Sequence, residues 1–312
     1  MLAVSVVLPA VSNVHVSNAH EHVSNNQWRA RSKAHTQRVR TWTKDRLTRR
    51  SHGRTHPVDD FLWDYYPFSA AKLQRWHPGP GITLAGTAHA VLEVPGFIER
   101  DGCTVFDADA LDPERRAYLA KEVTWVLRLL RNVTAKPARF GCFGLHEWAM
   151  VLGQSADDVR HRGWPLRISP EQVRATIDEV GLRCTHFDAF RFFTSEAIPL
   201  NPIQQMNRNT QPDLDQGGCL HANMDLYKWT MRLQPLVPMD FVADCFELAR
   251  DVRHLDMQGA PYDLAELGVE SIPLETAAGR TEFAVRQREQ AERAADLRGQ
   301  LIAFIEPWEN RL

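Results

Sequence analysis

The sequence predicts a mainly α-helical fold: a single compact helical domain over residues 26–312 with a few short strands, behind a disordered tail over residues 1–25. Three observations predict it. Helix-opening signals stand at Asp112-Pro113-Glu114 and Ser169-Pro170-Glu171, each a capping residue followed by proline at the first helical position. Apolar residues then recur at helical spacing, and strand-like alternation is scarce. At 312 residues with 44% hydrophobic and 24% charged side chains, the chain has enough material for a substantial core.

The tail repeats Val-Ser-Asn at 11–13, 16–18 and 23–25, interleaved with His15, His20 and His22. Polar repeats of this kind cannot repay the entropy of ordering. From Gln27 to Arg54 the chain turns basic, with Arg29, Arg31, Lys33, Arg38, Arg40, Lys44, Arg46, Arg49, Arg50 and Arg54 around Trp28 and Trp42 and only Asp45 opposing. Cations interleaved with rings suit phosphate contact and base stacking, which makes 29–54 a candidate segment for duplex DNA. The competing expectation is an exposed helix whose cations pair with acids elsewhere.

The aromatic block Asp59–Tyr66 is expected in the core, and Pro78–Gly81 ends any helix. Residues 82–110 read as loops with two short strands. Helices are expected from Asp112 to about Asn132, from Ser169 to about Gly181, from about Cys219, from Pro238 through Val252, and from Thr281 to Ile305. The segments 142–152 and 184–193 fit either period. In the helix from Cys219, Leu220, Met224, Tyr227 and Met231 form an apolar stripe beside His221, Asp225, Lys228 and Arg232.

A formal net charge of -2 supplies no general affinity for nucleic acid. No apolar run approaches the roughly 18 to 20 residues a membrane span needs. Cys103, Cys142, Cys184, Cys219 and Cys245 are odd in number and widely spaced, the pattern of reduced thiols in a cytoplasmic protein. The phosphate-binding glycine motifs and the GxSxG motif are missing from the sequence.

Three segments carry the candidate chemistry: Cys142-Phe-Gly-Leu-His146-Glu147-Trp148, Cys184-Thr-His186-Phe-Asp188-Ala-Phe190-Arg191 and Cys219-Leu-His221-Ala-Asn223-Met-Asp225-Leu-Tyr227-Lys-Trp229. Each brings a cysteine, a histidine and a carboxylate, and they are expected to meet in one pocket. His146, Glu147, His186, Asp188, His221 and Asp225 are ligand types for zinc, iron or manganese, which would make the chain a hydrolase or oxygenase acting on a small molecule. Without a metal, Glu147, Asp188 or Asp225 could serve as acid or base. Trp148, Phe190, Arg191, Asn223, Tyr227 and Trp229 are the candidate substrate-binding residues. A non-catalytic helical binding protein is the third possibility, with each histidine a satisfied core residue and Asp188 paired to Arg191.

The same segments, written Gly141-Cys-Phe-Gly-Leu-His-Glu-Trp-Ala-Met150, Cys184–Thr194 and Gly218–Trp229, with Leu255-Asp-Met257 and Ala260-Pro-Tyr-Asp-Leu264 after them, resemble a bacterial family commonly labelled 3-methyladenine DNA glycosylase. The resemblance runs from about Gln27 to the C-terminus. It implies hydrolysis of the N-glycosidic bond of alkylated purines, the lesion flipped into an aromatic pocket and a carboxylate assisting water, with no cofactor required. Of the helix-hairpin-helix signature only Pro78-Gly79-Pro80-Gly81 is imitated, with Pro80 in the apolar place, so no catalytic residue carries over from it.

Overall fold

The computed structural model describes residues 21–154 and 164–312. The fold is mainly helical, as expected, with twelve α-helices and one four-stranded sheet among the described residues. Most of the expected tail, residues 1–20, lies outside the described residues. Its last five are structured, because Glu21–Val23 pairs as a strand and Asn25 already belongs to a helix. Packing groups the described residues into two compact units.

One unit takes residues 21–128, 226–247 and 297–312. It contains β1 (Glu21–Val23), α1 (Asn25–Ser51), α2 (Phe61–Tyr65), α3 (Ala70–Gln74), β2 (Ile82–Ala85), α4 (His89–Leu92), β3 (Phe97–Arg100), β4 (Cys103–Phe106) and most of α5 (Pro113–Ala135). The sheet order is β1-β2-β4-β3, with β1 parallel to β2 and the other pairs antiparallel. Residues 82–110 thus hold three strands and two short helical turns rather than two strands. The β3–β4 hairpin turns through Asp101 and Gly102, both at positive φ (52° and 70°), the mirror-image turn whose twist matches paired strands.

Helix α1 starts at a capping box between Ser24 and Gln27. Four of its arginines face acids of the same unit: Arg31 with Glu21 (2.8 Å), Arg38 with Asp244 (2.6 Å) and Glu247 (2.7 Å), Arg46 with Asp64 (2.6 Å), and Arg49 with Asp60 (2.5 Å). Four of the ten cations in the basic run are therefore paired with acids of their own unit. The aromatic block is core: Trp63 packs on Phe246, and Tyr66 and Phe68 meet Tyr227 edge-on.

The other unit takes residues 129–225 and 248–296. It holds the end of α5, then α6 (His146–Ala149), α7 (Pro170–Val180), α8 (Phe187–Phe190), α9 (Gln211–Leu214), the first turns of α10 (Leu220–Arg232), the C-terminal half of α11 (Met239–Gln258) and most of α12 (Ala277–Ile305). Local chemistry sets the starts of α5 and α7. Asp112 accepts from the Arg115 backbone N–H (2.8 Å), and Ser169 and Gln172 cap each other ahead of Pro170. The two segments that fit either period resolve as the single helical turns α6 and α8.

Helix α10 departs from the expectation of one apolar and one polar face. Every residue from Leu220 to Met231 is buried, so its polar stripe is enclosed with its apolar one. No helix among the described residues is long and apolar enough to cross a membrane.

Candidate metal centre

The site lies within the unit formed by residues 129–225 and 248–296, where α6, α8 and α10 bring together the three segments picked out in the sequence. Each is fixed by its own local device. Before α6 the chain passes through Phe143 and Gly144, both at positive φ (45° and 69°). That conformation is uncommon for a bulky ring, and strain of this kind concentrates at functional sites. Gly144 is needed for a second reason: a Cβ there would stand 3.1 Å from the Phe283 ring and 3.5 Å from Asp256 Oδ1. The segment before α8 is clamped by Asn201, whose Oδ1 accepts from the Cys184 N–H (2.8 Å) while its Nδ2 donates to the Cys184 carbonyl (3.1 Å).

Helix α10 starts where two backbones touch. A Cβ on Gly218 would fall 2.3 Å from the Arg139 carbonyl oxygen, so the second glycine of the Gly217-Gly218 pair admits no side chain. Gln216 Oε1 accepts from the N–H groups of Arg139 and Gly218 (both 2.8 Å), and Gln287 Nε2 donates to the Gly218 carbonyl (2.7 Å). The first turn of α10 then presents His221 and, one turn later, Asp225.

Two ligand-type groups result. In the first, His146, His221 and Asp256 each place one donor atom within 4.8 Å of the others. His146 Nε2 stands 2.9 Å from Asp256 Oδ1, and the His146 and His221 rings meet edge to face with centroids 4.4 Å apart. His146 Nε2, His221 Nδ1 and Asp256 Oδ1 are all buried: His146 Nε2 and Asp256 Oδ1 pair with each other, while His221 Nδ1 has no hydrogen-bond partner. Burial first, and the neighbouring His146 second, hold His221 well below the ordinary imidazole value, so it is neutral and carries a lone pair. Burial works against ionising Asp256, yet His146 and Arg253 beside it keep its carboxyl below the usual range. Arg253 Nη1 also fixes the outer oxygen of that carboxylate, Oδ2, at 2.9 Å.

In the second group, His186, Asp188 and Asp225 likewise place one donor atom each within 4.8 Å of the others. His186 Nδ1 is 2.9 Å from Asp215 Oδ1, and its Nε2 is 3.6 Å from Asp225 Oδ2. Asp215 is held in turn by Gln211 Nε2 (2.9 Å). Asp188 also meets Arg191 at 3.4 Å, the local pair foreseen for it. The rings of His186 and His221 stack with centroids 5.5 Å apart, joining the two groups.

A cavity of about 20 Å³ lies against His146, His186 and His221, together with the thiol-bearing Cys142, Cys184 and Cys219. That volume suits a water molecule or an ion. Burial raises all three thiols, Cys184 to about 12, so they sit there as protonated, weakly polar groups.

The remaining candidates fall elsewhere. Glu147 is buried against Arg253 Nη1 (2.8 Å) and belongs to neither ligand group. Trp148 is fully enclosed and donates from Nε1 to the Gly259 carbonyl (2.7 Å). Asn223 Nδ2 donates to the Gly217 carbonyl (3.0 Å), tying down the start of α10. Phe190 packs on Phe193, which lines the cavity, while Arg191 is half exposed over the Phe192 ring. Tyr227 and Trp229 belong to the other unit, among Tyr66, Phe68 and Phe246 for the first and Trp125 for the second. Sequence reasoning passed over Asp256, Asp215 and Arg253. Asp256 stood in the quoted Leu255-Asp-Met257, two residues after His254, a signal the sequence reasoning did not use.

Comparison with protein-family models, curated proteins and solved structures returns no match to this chain.

Proposed function

We propose that the chain is a metal-dependent hydrolase acting on a small molecule, with one divalent transition ion held by His146, His221 and Asp256. The observation that carries this reading is the convergence of three buried ligand-type side chains, His146, His221 and Asp256, where His146 pairs with Asp256 and His221 Nδ1 makes no hydrogen bond. Leaving a buried polar atom unsatisfied costs about 1–3 kcal/mol, and the orphaned His221 nitrogen beside the His146–Asp256 pair calls for a partner. Ligands about 2.0–2.2 Å from a common ion lie roughly 3.0 Å apart in octahedral and about 3.3–3.6 Å apart in tetrahedral coordination, and His146 and Asp256, 2.9 Å apart, would separate slightly to hold a tetrahedral ion. Arg253, holding the outer oxygen of Asp256, is the kind of supporting contact that orients a ligating carboxylate.

Two imidazoles and one carboxylate suit zinc, iron or manganese. Three protein ligands leave a coordination position open, the mark of a catalytic rather than a structural site. A bound ion of this type supplies a water molecule with its pKa lowered toward about 7, a nucleophile at neutral pH. The cavity beside the three histidines has room for that water. Five free cysteines fit a reducing compartment, which supports a cytoplasmic place for the enzyme.

Metal analysis of the purified protein tests this. One equivalent of zinc, iron or manganese, lost in His221→Ala and accompanied by chelator-sensitive hydrolysis of model esters or phosphoesters, is expected. Substoichiometric metal that is unchanged in the variant would remove the reading, and stoichiometric iron without hydrolysis would turn it toward an oxygenase.

The resemblance to the glycosylase-labelled family supports a second reading, in which Asp188 or Asp225 assists water at an alkylated purine and the exposed part of the basic segment 29–54 meets duplex DNA. A cavity sized for water favours it less, since a flipped base would need far more room. Release of base from methylated duplex DNA above a no-enzyme control is its test.

A further inference from the structure

We infer that α1 carries a docking face for the backbone of a duplex nucleic acid, which it reads through phosphates alone and without regard to base sequence. This deepens the DNA contact of the second reading above, and it rests on charge placement rather than on chemistry at a purine. Helix α1 sorts its cations into two sets. Arg31, Arg38, Arg46 and Arg49 pair with acids of their own unit. Arg29, Lys33, Arg40 and Lys44 are spaced at i, i+4, i+11 and i+15, which puts them in file on one other face. All four are exposed, and none lies within ion-pairing distance of an acid among the described residues. At 1.5 Å of rise per residue the file is about 22 Å long.

The rings of the segment decide between duplex and single strand. Single strands are held on aromatic platforms where successive bases stack. Trp28 and Trp42 offer no such platform, although the sequence pattern suggests one. Trp28 is 9% exposed, donates from Nε1 to the Ala85 carbonyl (3.1 Å) and lies under the Arg29 guanidinium at 4.7 Å. Trp42 packs on Phe246 with ring centroids 5.1 Å apart. What α1 turns outward is charge without rings, which suits phosphates whose bases are already stacked and paired. A bilayer is the poorer match. Helices that lie on membranes bury an apolar face among the headgroups, and the apolar side of α1, with Trp28 and Val39, is already turned into its own unit. Among the described residues of α1, Leu47 is the one large apolar side chain that stands exposed. A single file of cations also matches a polyanion that is itself linear.

The test is fluorescence anisotropy of the full-length protein on an undamaged DNA duplex of about 20 base pairs, at about 50 and about 200 mM salt. Wild type is compared with a variant carrying Arg29→Gln, Lys33→Gln, Arg40→Gln and Lys44→Gln. Four neutralised phosphates give a slope of about −3.6 in log affinity against log salt, so wild type should lose about 150-fold between the two salts. The variant should bind more weakly at the lower salt and lose most of that slope, with its melting temperature unchanged, and a second duplex of unrelated sequence should bind wild type equally. No binding at the lower salt, an affinity flat in salt, or a variant as tight as wild type overturns the inference. Tighter binding to a single strand of the same sequence overturns it too. Binding to vesicles of equal parts phosphatidylserine and phosphatidylcholine, without binding to duplex, overturns it in favour of a membrane. Duplex binding that needs the four cations, with no base released from methylated DNA, keeps this face and removes the second reading. Base release that persists in the variant with unchanged affinity keeps that reading and overturns this face. If the variant fails to fold, the salt slope of wild type alone decides.

Discussion

Arg253 Nη1 stands 2.9 Å from Oδ2 of Asp256, and the other oxygen of that carboxylate faces His146 Nε2 at 2.9 Å. The same Nη1 reaches Glu147 Oε1 at 2.8 Å, so one enclosed guanidinium serves two enclosed carboxylates. Removing one member of a buried ion pair strands the charge of the other, at about 3–5 kcal/mol. Arg253→Met is therefore expected to lose about that much stability in urea unfolding. A loss under about 1 kcal/mol, the range of an exposed pair, would show that the triad is hydrated and not enclosed.

Glu147 separates structural from ligating carboxylates. It is tied to Arg253 and lies outside both ligand groups, so Glu147→Gln should cost about 1–3 kcal/mol while leaving the metal content unchanged. Asp256→Asn should instead lose the ion of the first group, besides weakening the pair with Arg253. Equal metal loss in both variants would mean that Glu147 ligates.

The cavity thiols give a chemical readout. Burial pushes Cys184 up to about 12 and raises Cys142 and Cys219, which leaves almost no thiolate at pH 8. Iodoacetamide should modify these three only after unfolding, and serine at each position should keep the bound ion. Rapid alkylation of native Cys142, Cys184 or Cys219 would instead place a reactive thiol at the site.

In the other unit, burial holds His77 down to about 4, and its Nδ1 accepts from the Gly79 N–H at 3.2 Å, consistent with a neutral ring. The unfolded chain protonates this histidine near the ordinary 6.5, the folded chain only near 4. Stability from His77 is thus complete above about pH 6.5 and falls as pH drops toward 4, by about 3 kcal/mol in total. Urea midpoints between about pH 7.5 and 4.5 should fall more steeply for wild type than for His77→Phe. Parallel curves would contradict the shift.

What the sequence made legible was whatever is settled by neighbours along the chain. The starts of α5 and α7 depend on Asp112, Ser169 and the prolines after them, all local, and the structure has them where the spacing predicts. The single turns α6 and α8 are shorter than any periodic window, so 142–152 and 184–193 stayed ambiguous. Helix α10 misleads for a related reason: His221 and Tyr227 are half a dozen residues apart, yet they belong to different compact units. Asp215 and Asp256 reach His186 and His146 only through tertiary packing, and the one local signal, His254 two residues before Asp256, points to a histidine outside the ligand group.

The central claim is that His146 Nε2, His221 Nδ1 and Asp256 Oδ1 share one cation. A crystal structure with diffraction recorded on both sides of the zinc, iron and manganese absorption edges tests it most directly. An anomalous peak about 2.0–2.2 Å from all three atoms is the predicted result. Density with no anomalous scatterer within bonding distance of His146, His221 or Asp256 would contradict it.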